Sequence, residues 1–73
     1  MRVTIKLQGE ANAQGLFDVM RGRAVAWTEL GRGWHTVDFD HESLEEARAH
    51  VAELFPRLRF TVRRWVQPGP AIK

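Results

Sequence analysis

Seventy-three residues leave room for one domain. Without a cysteine, that domain has neither a disulfide nor a thiolate-built zinc site to hold it. A core of this size supplies only about 3–5 kcal/mol unaided, which makes self-association an expected route to stability. The formal net charge is +2, too small to mark a nucleic-acid binder by itself. Any electrostatic argument must rest on where the charges lie.

The N-terminal stretch Met1-Arg2-Val3-Thr4-Ile5-Lys6-Leu7 alternates and is not the unbroken apolar run of a signal peptide. No segment approaches the ~18 apolar residues of a membrane span, so a cytoplasmic protein is expected. Val3, Ile5 and Leu7 against Arg2, Thr4, Lys6 and Gln8 give the period of a half-buried strand that ends at Gly9. From Ala11 to Arg21 the period changes: Ala13, Leu16, Phe17 and Met20 fall on one helical face. Asn12 is the expected N-cap and Gly22 the residue just past the end. Gly15 weakens that helix by about 1 kcal/mol relative to alanine.

Ala24 to Leu30 and Trp34 to Asp40 read as two strands joined by Gly31-Arg32-Gly33, a hairpin signal. A two-residue turn would put Ala24, Ala26 and Thr28 on the face of Val37 and Phe39. A three-residue loop with Gly33 left-handed would put Val25 and Trp27 there instead. The second register is preferred, because two alanines and a threonine fill little core volume. Ser43-Leu44-Glu45-Glu46 is a capping box that opens a helix with Leu44, Ala47, Val51, Leu54 and Phe55 on one face, stopped by Pro56. Arg57 to Gln67 is a last strand, with Leu58, Phe60, Val62 and Val66 alternating against Arg57, Arg59, Thr61, Arg63 and Trp65. Arg64 falls in the apolar phase and is expected to escape at the strand end. Pro68-Gly69-Pro70 ends regular structure, so the chain divides into one domain over residues 1–67 and a flexible tail over 68–73.

The order β-α-β-β-α-β resembles the ferredoxin-like arrangement. It predicts four antiparallel strands in spatial order 4-1-3-2 with both helices on one face. A superfold of this kind does not determine function.

Catalytic and metal chemistry find little support. His35, His41 and His50 form no His-x-x-x-His or Glu-x-x-His pair. Asp38, Asp40, His41 and Glu42 offer oxygen and nitrogen donors, but acidic residues before a helix serve its dipole, and no metal or other cofactor is expected. Glu46 and His50, four apart, read as a solvated surface pair. There is no nucleophilic cysteine, no Gly-x-Ser-x-Gly and no phosphate-cradling loop, and a substrate pocket would consume a core this small. The expectation is a non-enzyme.

The open side of such a sheet receives Arg2, Thr4, Lys6 and Gln8 from the first strand. Arg57, Arg59, Thr61, Arg63 and Trp65 come from the neighbouring last one, and Trp34, Thr36 and Asp38 from the third. Trp34, Trp65, Arg59, Arg63, Lys6 and Arg2 are therefore the candidate partner-binding residues. Tryptophan and arginine are the types most enriched at interface hot spots. The expected function is a small binding module acting through protein–protein contact on this face, self-associating as a homodimer or docked on a larger protein. The alternative is single-stranded RNA or DNA, with bases stacked on the tryptophans and phosphates held by the cations. The aromatic motif of RRM domains is absent from Gly33-Trp34-His35-Thr36-Val37-Asp38-Phe39.

Overall fold

The computed structural model describes residues 1–67. The flexible tail expected over 68–73 lies outside the described residues. The elements run β1 (Arg2–Gln8), α1 (Glu10–Val19), β2 (Ala24–Gly31), β3 (Trp34–Asp40), α2 (Leu44–Leu54) and β4 (Phe60–Arg64). The strands form one antiparallel sheet in the order β2-β3-β1-β4. This is the ferredoxin-like βαββαβ arrangement. None of the helices among the described residues is long and apolar enough to cross a membrane.

The alternation in β1 and β3 decides which side of the sheet is covered. Val3, Ile5, Leu7, Val37 and Phe39 point to one side and are wholly buried there against Ala13, Leu16 and Met20 of the first helical segment and Ala47 and Val51 of α2. Both helices thus share one face, and the other is left open. Leu58, Phe60 and Val62 continue the packed side at its rim.

The hairpin between β2 and β3 reaches the preferred face by a different route. Gly31 pairs directly with Trp34, so the turn has only two residues, Arg32 and Gly33, both at positive φ (58° and 82°). Positive φ at both central positions is the signature of the tight hairpin turn whose twist suits the flanking strands. Left alone, that turn would send Trp27 outward. A bulge at Leu30, between the pairs Gly31–Trp34 and Glu29–His35, restores the phase, and Trp27 pairs with Val37 on the covered side. A second bulge at Val25 reverses the phase again. Val25 is consequently exposed at 46 %, and Ala24 takes the place opposite Phe39 that the alternation assigned to it.

The helix termini show the same division between strong and weak signals. Ser43 caps α2 as expected, its Oγ accepting from the Glu46 amide at 3.1 Å. In α1 the N-cap is Gly9 at φ 100°, not Asn12, whose side chain donates to the Gln8 carbonyl at 3.0 Å. The helix is capped at Met20, one residue earlier than expected, and Gly22 takes positive φ (93°) two residues beyond the cap. β4 is shorter than its alternating pattern. It starts at Phe60, because Pro56 to Arg59 form the turn and approach out of α2, and its ladder with β1 ends at Val3–Arg64. Val66, beyond the ladder, is 70 % exposed and not inward.

Candidate functional site

Register fixes the open face residue by residue. Thr28, Thr36, Lys6 and Thr61 form one row across the four strands; Ala26, Asp38, Thr4 and Arg63 form the next. Asp40 and Arg2 lie beyond these rows, with Trp65 beside them through the hydrogen bond that its backbone amide donates to the Arg2 carbonyl. At the opposite end Trp34 pairs with Gln8.

The face therefore gathers Arg2, Lys6 and Arg63 as one cationic field across β1 and β4, but it does not bring the two tryptophans together. Six residue steps along β1, from Arg2 to Gln8, separate their positions, about 20 Å at the rise of an extended strand. Each indole is instead matched with a cation from β1. Lys6 Nζ lies 5.3 Å from the centre of the Trp34 ring, and the Arg2 guanidinium carbon lies 5.3 Å from that of Trp65. Such contacts hold long cationic side chains flat against the sheet. Arg59 precedes β4 and sits with Lys6, Trp34 and Thr61 around a hollow at the Trp34 end.

The charges on this face are unequally satisfied. Arg2 Nε donates to Asp40 Oδ1 at 3.0 Å, and the buried Thr4 hydroxyl donates to Asp38 Oδ1 at 2.6 Å. Both carboxylates of the face are thereby engaged. Lys6, Arg59 and Arg63 have no ion-pair partner among the described residues.

The histidines resolve into two arrangements that the one-dimensional spacing concealed. His35 is buried, and its Nδ1 accepts from Trp27 Nε1 at 3.1 Å across the hairpin, so it is a satisfied core residue. His41 meets His50, not a neighbour in sequence. The Glu42 amide donates to His41 Nδ1 at 3.0 Å, His41 Nδ1 also lies 3.1 Å from Glu42 Oε1, and His41 Nε2 shares a hydrogen bond with His50 Nδ1 at 3.1 Å. Candidate ligand atoms of His41, Glu42 and Glu46 lie within 4.8 Å of one another. The Arg23 guanidinium, 3.7 Å from Glu42 Oε1, already supplies positive charge there. Within this cluster His41 and Glu42 are partnered by His50 and Arg23.

Comparison with protein-family models, with curated proteins and with solved structures finds no match to this chain. A functional reading must come from the geometry of the face itself.

Proposed function

We propose that this chain is a non-enzymatic binding module whose open sheet face makes a protein–protein contact with an acidic partner. The observation that carries the reading is the charge balance of that face. Asp38 and Asp40 are engaged within it, while Lys6, Arg59 and Arg63 have no carboxylate partner among the described residues. Exposed cations beside indoles are the composition of an interface rim and its anchors.

The same balance bears on what the partner is. A second copy docked face to face would set Lys6 and Arg63 against cations of the same kind, and like charges brought together across an interface are costly. A foreign protein with surplus carboxylates meets no such penalty. We therefore favour a foreign partner over a homodimer through this face, and a monomer is the expected result of light scattering on the isolated chain. The cysteine-free composition suits a reducing, cytoplasmic setting. Single-stranded nucleic acid is the less favoured ligand, because Lys6 and Arg2 already lie over the ring faces that bases would stack on.

The test is differential capture from nuclease-treated extract with three baits: wild type, Lys6→Glu with Arg63→Glu, and Arg48→Glu on the exposed side of α2. Proteins retained by wild type and Arg48→Glu but lost from the double variant are expected. Equal recovery by all three baits would remove the open face as the contact surface.

A further inference from the structure

A groove opens at the Trp34 end of the sheet, where β1 finishes, β3 starts and the chain leaves α2 for β4. It is an open depression of about 900 Å³, and Gln8, Trp34, Leu54, Arg57, Leu58 and Arg59 are among the residues that line it. No carboxylate is among them. Leu54 is 39 % exposed, left uncovered in the last turn of a helix whose buried residues are Ala47 and Val51. Arg57 and Arg59 are exposed and without ion-pair partners among the described residues. The partial negative charge of the α2 C-terminus is outweighed by two full positive charges beside it. Trp34 and Arg59 also line the hollow that holds Lys6 and Thr61, so the groove is continuous with the open face.

We propose that this groove receives an extended acidic segment of the partner protein. An apolar side chain of that segment is seated between Trp34, Leu54 and Leu58, and flanking carboxylates lie on Arg57 and Arg59. The assignment rests on the protein-contact reading of the sheet face and says where on that surface the partner is anchored. A guanidinium group donates two parallel hydrogen bonds to a carboxylate, which gives direction as well as attraction. The walls facing Trp34 include the aliphatic Leu54 and Leu58, and Lys6 already lies over the indole. Aliphatic walls suit an apolar side chain better than a stacked base.

The experiment titrates the whole chain, at low salt, with the tryptophan-free peptide Glu-Glu-Leu-Glu-Glu-Leu-Glu-Glu. An all-glutamate peptide of equal length and oligothymidylate serve as the other two probes. Tryptophan emission and the anisotropy of labelled probes are read together. The leucine-bearing peptide is expected to bind about tenfold more tightly than the all-glutamate one. Arg57→Glu with Arg59→Glu should weaken it by about tenfold or more, and Leu54→Ser should abolish the preference for leucine. Melting curves establish that each variant is folded. Loss of binding in Arg63→Glu but not in the Arg57/Arg59 variant would overturn the groove and leave the face reading standing. Equal affinity for both peptides would overturn the apolar anchor. Tighter oligothymidylate binding through the same arginines would overturn the protein occupant. No binding of any probe at millimolar concentration would overturn the proposal outright, while the capture experiment would still judge the face.

Discussion

Trp27 and His35 solve one another's burial. A tryptophan N–H and a histidine ring nitrogen each carry a desolvation penalty on entering a core, and the 3.1 Å bond between them removes both. The indole also packs beside Phe17, with ring centres 6.2 Å apart, and beside the His35 ring at 5.8 Å. Two substitutions separate these contributions. Trp27→Phe keeps most of the packing but leaves His35 Nδ1 without its donor, and should cost about 1–3 kcal/mol. Trp27→Ala loses the packing as well and should cost about 3–5 kcal/mol, much of the stability of so small a domain. Trp34→Ala, on the open face, should cost far less than either. Urea denaturation of the three variants checks the order, and a Trp27→Ala variant as stable as wild type would show that the indole is not a core residue.

At the scale of elements, the legible parts of the fold are those where pattern and packing agree. The strict alternation of Val3, Ile5 and Leu7 and the Ser43 cap followed by Ala47 and Val51 were readable because these positions are wholly buried, although Leu54, expected on the same α2 face, is exposed. The hairpin was legible only in its result. Its inward tryptophan follows from core volume, but the route depends on bulges at Leu30 and Val25, and an extra residue in one strand leaves no mark on local composition. Hence Val25, inward by simple alternation, is exposed. Asn12 looked like a cap because asparagine is a good one, yet Gly9 bends the chain earlier, and its amide is held by the Gly33 carbonyl at 2.7 Å. Glycine positions supply the test at this scale. A Cβ at Gly15 would lie 3.6 Å from the Phe55 ring, ordinary contact inside a helix, so Gly15→Ala should stabilise by about 1 kcal/mol. Gly31 sits at φ 98° with open space around it, so Gly31→Ala should destabilise by about 1–2 kcal/mol through backbone strain alone. Chemical denaturation curves of opposite displacement are the expected outcome.

For the molecule as a whole, alternation identified which side chains share the open face but not how they divide among partners. That division needs register: Arg2 beside Asp40, Thr4 between Asp38 and Arg63, and the two tryptophans at opposite ends. The groove was not legible at all, because it arises where the end of α2 comes alongside Trp34, twenty positions earlier in the chain. The His41–His50 pair was hidden in the same way, since the two lie nine residues apart and only the turn into α2 brings them within 3.1 Å. What distinguishes the sheet from an ordinary solvated surface is that its carboxylates are hydrogen-bonded within it, while Lys6, Arg59 and Arg63 have no carboxylate partner among the described residues. Screening at high salt should therefore weaken partner binding. The most direct measurement is a methyl-resolved NMR titration of the chain with a protein recovered by differential capture. Perturbation should concentrate on the methyl groups of Thr28, Thr36 and Thr61 on the open face, while those of Leu16 and Val51 beneath the helices stay unchanged. Perturbation spread over α1 and α2 with the sheet threonines unmoved would contradict the account.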